Sequence, residues 1–172
     1  MLMTRKSDVP ASEDEILGVC EKGLSLASPL YPQTLPRSEE LLGAPDWYSF
    51  EHEAWGIGES VRRSFVQNPK FKKNQDVLNR VLEVACCRNL RRGRQSFIMA
   101  LGFVAPRQHA KTLSPFLSDP DDDGHVVYTL IKMKAPGFIS EIEPLLQSDK
   151  TWIRNLAKKY LSRYGLPSFS TL

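Results

Sequence analysis

The amino-acid sequence predicts an all-α protein, arranged as a right-handed α-solenoid behind an irregular, proline-rich N-terminal helical region. Three observations support this prediction. Apolar residues recur at helical spacing through most of the chain, proline-containing breaks separate these stretches, and one helical pattern repeats in the C-terminal half. The 172 residues are enough for one domain with a sizeable core.

Composition limits the class of protein. Hydrophobic residues at 41% and charged residues at 25% are ordinary for a globular chain and exclude a disordered or collagen-like one. No apolar run is long enough to cross a bilayer, and the first residues lack the apolar stretch of a secretory signal. The three cysteines include the adjacent pair Cys86 and Cys87, which is poorly placed for a disulfide. We therefore expect a cytoplasmic protein with no membrane association and no cofactor.

The N-terminal segment, residues 1–73, is predicted to be helical but interrupted. Ser12 and Glu15 have capping-box spacing, which predicts a helix over 12–27. Four prolines between residues 28 and 45 then predict an irregular connector, with one turn at 38–42. Asp46 is expected to cap a helix that ends at Asn68 and Pro69.

The second segment, residues 74–172, is more regular and is expected to be continuous with the first in one domain. Periodicity predicts helices over 75–89 and 92–104, and then over about 110–117, 126–133, 138–146 and 152–164. Asp123 and Asp149 stand where they could cap two of these helices.

An internal repeat links the helices of the second segment. The Ala105-Pro106 pair recurs as Ala135-Pro136, 30 residues later, and this alignment matches Phe97 with Val127, Leu101 with Ile131, and Phe103 with Met133. A third unit is predicted to begin at Asp149, with Arg154 reaching back to the preceding turn and Ala157 allowing close packing. A helical pair of this length cannot bury its apolar face alone, so stacked units are expected to form the core.

This pattern resembles the HEAT-like helical repeats, in the short bacterial form that also occurs in phycobilin lyases. The resemblance covers about residues 75–165, and an ordinary helical bundle is the alternative. It implies a scaffold that binds macromolecules along a concave face. The family includes alkylpurine DNA glycosylases, but no position of this chain matches a catalytic residue of the family.

Charge is segregated along the chain. Residues 1–59 carry 4 basic and 11 acidic side chains, whereas residues 60–112 carry 12 basic and 2 acidic ones. The two segments either form separate binding surfaces or neutralise each other. The predicted binding residues of the basic surface are Arg62, Arg63, Arg88, Arg91, Arg92, Arg94, Arg107 and Lys111. Those of the acidic surface are the aromatic residues Trp47, Tyr48 and Trp55, which core burial would equally explain.

Motifs for chemistry are incomplete. The segment 119–124 reads D-x-D-D-D-G, which is the first half of a calcium loop, but Leu130 replaces the bidentate glutamate. A solvated turn is therefore the preferred interpretation. His52, His109 and His125 lack metal-ligand spacing, so no metal site is predicted. Arginines beside Cys86 and Cys87 could lower a thiol pKa, which is a minor redox hypothesis.

Two functions follow from these patterns. The first hypothesis is a non-catalytic module that binds a partner protein, as an adaptor, a chaperone-like factor or a toxin-immunity protein. The second is a nucleic-acid-binding protein whose basic residues between 60 and 112 contact phosphates. A DNA glycosylase-like enzyme is an extension of this second hypothesis.

Overall fold

Every regular element is helical in the residues that the computed structural model describes, which are 9–27, 29, 35 and 47–165. The prediction of an all-α protein is confirmed. The α-helices are α1 (Glu13–Ser25), α2 (Ser49–Gln67), α3 (Gln75–Cys86), α4 (Gln95–Val104), α5 (Ala110–Leu113), α6 (Asp123–Met133), α7 (Ile139–Ile142) and α8 (Thr151–Tyr164). The 3₁₀ segments are Pro69–Lys73, Arg88–Arg94, Arg107–His109, Ser114–Phe116 and Glu143–Gln147. The predicted turn at 38–42 and the cap Asp46 lie outside the described residues.

Helix starts agree with the sequence where a side chain caps the helix locally. The Ser12 hydroxyl accepts a bond from the Glu15 amide at 3.2 Å, as predicted. Two predicted caps are wrong by one residue: the N-cap of α6 is Asp122 rather than Asp123, and that of α8 is Lys150 rather than Asp149. The path of the preceding turn, and not the nearest aspartate, sets these starts.

Helices α2, α4, α6 and α8 pack in sequence, each against the next. They run parallel, because contacts advance in the same direction along both partners: Gly58 of α2 lies beside Phe97 of α4, and Arg62, one turn later, beside Phe103.

Side-chain hydrogen bonds to backbone carbonyl groups join each helix to the next one in this series. Ser96 on α4 donates to the carbonyl of Trp55 on α2 at 2.8 Å, and Thr129 on α6 donates to the carbonyl of Ile98 on α4 at 2.9 Å. After α6, the Ala135 carbonyl accepts from the Tyr160 hydroxyl of α8 at 2.7 Å. We call this arrangement the helix row.

A second layer covers part of the helix row. Helix α1 packs against α2 and α3, and α3 packs against α4. The 3₁₀ segments and the short helices α5 and α7 connect the longer ones. One hydrophobic cluster extends from Ile16 in α1 to Tyr160 in α8, so the core is continuous along the row.

Burial repeats along the row at the spacing of the sequence repeat. Phe97, Val127 and Ala157 are all fully buried, and so are Ala100, Leu130 and Tyr160. Each set is spaced by 30 residues along the chain. The predicted contact of Arg154 is also present, since its guanidinium donates to the Ser148 carbonyl at 2.7 Å. The internal repeat therefore describes equivalent positions in α4, α6 and α8. Among the helices of the described ranges, none combines the length and the apolar character needed to cross a bilayer.

Close approach of α2 and α4 requires a glycine. A Cβ atom on Gly58 would overlap the side chains of Ser96 and Phe97, whereas a Cβ on Gly56, one half-turn away, would meet open space. The missing side chain at position 58 is thus part of the packing, and the one at position 56 is not.

This pair of glycines gives a matched test of the helix row. We expect Gly58→Ala to lower the free energy of unfolding by about 1–3 kcal/mol through overpacking. Gly56→Ala should raise it by about 0.5–1 kcal/mol, because alanine restricts the unfolded chain and favours helix. Urea unfolding of both variants measures the difference, and equal effects at the two positions would contradict the packing.

Candidate functional site

The basic segment Arg88–Arg94 lies at the start of α4, at the end of the row where the parallel helices begin. Its 3₁₀ backbone is kinked at Arg91, where φ is 50° and ψ is −130°. A non-glycine residue with positive φ costs about 1–3 kcal/mol, so surrounding contacts must hold it there. The Arg91 guanidinium lies 3.3 Å from the Glu51 carboxylate and 5.3 Å from the centre of the Tyr48 ring. The kink thus ties α4 to the start of α2.

Arg94 is the central side chain of this region. It is 2% exposed, and its guanidinium contacts the Asp122 carboxylate through Nε at 2.7 Å and again through Nη2. Nη2 also donates to Asp119 at 2.9 Å. The guanidinium carbon lies 4.4 Å from the centre of the Phe116 ring, which covers it from water. This ion pair joins the start of α4 to the loop before α6.

Arg92 and Glu51 complete the connections between the helix starts. Arg92 Nε donates to Asp121 at 2.9 Å, and its backbone amide donates to Glu51 at 3.2 Å. Glu51, which is 1% exposed, also accepts the Tyr48 amide at 2.7 Å. The predicted acidic and basic segments therefore meet here and neutralise each other in part.

A pocket of about 240 Å³ opens among these charges. Its lining, the Arg–Asp pocket, consists of Arg88, Arg91, Arg94, Asp119, Asp121 and Asp122. Arg88 stacks on Phe116, with the guanidinium carbon 4.8 Å from the ring centre, and has no carboxylate partner among the described residues. Nη1 of Arg94 and Oδ1 of Asp122 are buried without a partner in the described part of the chain. The pocket thus offers both positive and negative groups.

Burial shifts two pKa values beside this pocket in opposite directions. Burial raises the pKa of the Asp122 carboxyl to about 6, although the Arg94 guanidinium opposes the shift. Burial lowers the pKa of His125 to about 4, and Lys150 lowers it further, while the Asp121 carbonyl opposes. The His125 ring packs 5.2 Å from the ring of Trp152, which is 44% exposed. His125 is therefore neutral at pH 7 and forms part of the packing.

The other predicted binding residues lie elsewhere. Arg62 and Arg63 are on α2, where both contact Glu59. Arg107 and Lys111 are exposed; Arg107 follows the end of α4, at the opposite end of the row from Arg94, and Lys111 lies on α5. The expected single basic surface is therefore split in two.

The three aromatic residues of the predicted acidic surface differ in exposure. Tyr48 is 3% exposed and stacks with Phe50 at a ring distance of 6.0 Å, so it belongs to the core edge. Trp47 and Trp55 are half-buried. An aromatic surface made of all three residues does not form.

The alternative motifs for chemistry have structural roles. Asp119, Asp121 and Asp122 of the half calcium loop contact arginines, and no group of side chains able to hold a metal ion occurs in residues 9–27, 29, 35 and 47–165. Burial raises the pKa of the Cys86 thiol despite the nearby Arg94 and Arg88, which weakens the redox hypothesis.

Sequence reasoning missed the partners of the arginines. The sequence predicts a solvated turn for Asp119, Asp121 and Asp122, and helix positions for Phe116 and Trp152. The one available signal was the spacing of 28 residues between Arg94 and Asp122, which is close to the repeat length. Comparison of the chain with protein-family models, curated proteins and solved structures found no match.

The buried ion pair predicts a large effect of removing one partner. Arg94→Met should lower the free energy of unfolding by about 3–5 kcal/mol, because it leaves the Asp122 carboxylate buried and uncompensated. Adding Asp122→Asn should recover most of this loss. Arg92→Ala, which breaks a partly exposed pair, should cost only about 0.2–1 kcal/mol in the same urea titration. Equal losses for Arg94→Met and Arg92→Ala would contradict the central position of Arg94.

His125 predicts a pH dependence of stability. Its folded pKa of about 4 lies below the ordinary 6.5, so the unfolded chain binds the proton first and stability falls as pH drops from 6.5 to 4. Asp122 opposes this, because its raised pKa adds stability as pH falls through about 6. In His125→Gln only the second effect remains. The variant should therefore gain up to about 3 kcal/mol relative to the parent protein between pH 7 and pH 4. A difference that stays constant with pH would contradict this.

Proposed function

We propose that the chain is a non-catalytic, HEAT-like helical-repeat module, an α-solenoid, that binds a partner protein. The repeated burial in α4, α6 and α8 and the parallel helix row support the solenoid, because both arise when similar helical units stack with the same offset. Adaptor, chaperone-like and toxin-immunity proteins are the forms of this function that we consider.

The Arg–Asp pocket is the observation that carries the proposal. It combines the exposed Arg88 and Arg91 with aspartates, and the partly exposed Trp152 lies at the same end of the row. Arginine and tryptophan are enriched among the few residues that contribute most to binding at protein interfaces. The pocket lies at the start of two successive helices, α4 and α6, that share one core, so a partner would meet a rigid surface.

The charges of the pocket favour a protein over a nucleic acid at this end. Three aspartates stand among three arginines, and a phosphate backbone placed here would approach the carboxylates of Asp119 and Asp121. A protein surface can present both signs of charge, so that each group meets an opposite one. Mixed charge of this kind gives specificity against partners of uniform charge.

Affinity capture from the native host, with matched variants, tests this function. We expect the tagged protein to retain one specific protein at a fixed stoichiometry. Arg88→Glu or Trp152→Ala should reduce the retained amount at least about fivefold, since an interface anchor contributes more than about 1 kcal/mol. Lys159→Glu, a charge reversal at an exposed position of α8, should leave it unchanged. Capture that is insensitive to both pocket variants would reject this surface.

Nucleic-acid binding is a second candidate because some predicted basic residues are not neutralised. Arg107 and Lys111 are exposed without carboxylate partners in the described part of the chain, unlike Arg92 and Arg94. We therefore expect a bound nucleic acid to contact Arg107, at the end of the row opposite to the Arg–Asp pocket.

A further inference from the structure

Three neighbouring helices of the row present aromatic rings and cations on one face. The Arg62 guanidinium carbon of α2 lies 5.7 Å from the centre of the Phe103 ring of α4. Lys132 Nζ of α6 lies 5.5 Å from the same ring and 5.5 Å from the ring of Tyr128. We call these four residues the cation–aromatic face. Phe103 and Tyr128 are half-buried and Lys132 is exposed, so the face meets solvent.

The face is rigidly built. The backbone of Gly102 approaches Lys132 so closely that an added Cβ would lie 3.0 Å from the Lys132 Cβ atom. The Thr129 hydroxyl bonds to the Ile98 carbonyl and fixes α6 against α4. Glu59 holds Arg62 in place, because its carboxylate accepts a hydrogen bond from Arg62 Nε at 2.9 Å. The rings and cations are therefore preorganised.

Further cations lie at the end of the row where the parallel helices finish. They follow the last turns of α2, α4 and α6, are exposed, and have no ion-pair partner among the described residues: Lys70, Lys72, Lys73, Arg107 and Lys134. Cations near helix C-termini are favourable by about 0.3–1 kcal/mol each, which accounts for some of them. It does not account for the half-buried rings of Phe103 and Tyr128 beside the cations Arg62 and Lys132.

We propose that the cation–aromatic face binds single-stranded nucleic acid. Phosphates would contact Lys132 and the cations beyond it, and unstacked bases would lie on Phe103, Tyr128 and the plane of the Arg62 guanidinium. An acidic polypeptide would satisfy the cations but would leave the rings without a role. The bases of a duplex are stacked on each other, so a duplex would contact the cations but not the rings. The surface is separate from the Arg–Asp pocket and does not depend on the proposed protein partner.

The size of the face sets the probe. Two steps between packed helices span about 16–20 Å, since neighbouring axes lie about 8–10 Å apart. Stacked nucleotides repeat at about 3.4 Å, so the face covers about five or six of them. Fluorescein-labelled oligothymidine and oligouridine of about 12 nucleotides are therefore long enough, and anisotropy titrations from about 50 mM to about 200 mM NaCl measure both affinity and salt dependence.

Charge and ring variants should separate in this titration. Lys132→Gln should weaken binding and reduce the slope of log K against log salt by about 0.7, the value for one phosphate contact on a single strand. Phe103→Leu should weaken binding about 5-fold to 100-fold with the slope unchanged, because stacking is lost and charge is not. Tyr128→Ser should act like Phe103→Leu, and Tyr128→Phe, which keeps the ring, should bind normally. Lys159→Gln is the charge-matched control.

Several outcomes would overturn the proposal. Absence of binding to both oligonucleotides at about 50 mM salt would remove it outright. Normal affinity in both Phe103→Leu and Tyr128→Ser, with thermal unfolding confirming that each variant is folded, would remove base stacking. Equal affinity for a duplex of the same length would do the same. Competition by polyglutamate as strong as that by unlabelled oligonucleotide would identify an acidic polypeptide as the ligand instead.

Discussion

The buried ion pair between Arg94 and Asp122 is the constraint on which the rest of the structure depends. Two charges removed from water are tolerated only when they bond each other with good geometry, and Arg94 meets this condition by contacting both Asp122 and Asp119 under the Phe116 ring. The bond fixes the start of α4 against the loop that begins α6. It thereby sets the register of two parallel helices, and the Arg–Asp pocket is the space that remains around it.

Parallel packing then gives the two ends of the row different chemistry. At the end where the helices begin, the free amide groups favour carboxylates. Glu51 and the aspartates before α6 lie at this end, and they form ion pairs with arginines of the segment before α4. At the other end the free carbonyl groups favour cations, and Lys70, Arg107 and Lys134 follow the helices without carboxylate partners in the described residues. The same helix dipoles thus gather mixed charge at one end and positive charge at the other.

The helices were predictable because each one carries its own apolar periodicity, and the repeat was predictable because equivalent positions are buried in each unit. The ion-pair partners of the arginines were not predictable. Arg94 and Asp122 are 28 residues apart and on different units, so their contact depends on how the units stack. Phe103 is aligned only with Met133 in the repeat, and its contact with Lys132 arises from the packing of α4 on α6. The predicted N-caps of α6 and α8 were wrong by one residue for a related reason, because the turn before each helix fixes where the helix starts.

The distance between the two proposed surfaces follows from helix geometry. Helix α4 has 10 residues and begins beside the Arg–Asp pocket, and Phe103 is in its last turn. At about 1.5 Å per residue the helix separates pocket and ring by about 13–15 Å, which exceeds the Debye length of about 8–10 Å at physiological salt. Charges bound at one end are therefore largely screened from the other. A ligand on the cation–aromatic face would leave the charge balance of the pocket unchanged, so the two surfaces can act independently on one rigid core.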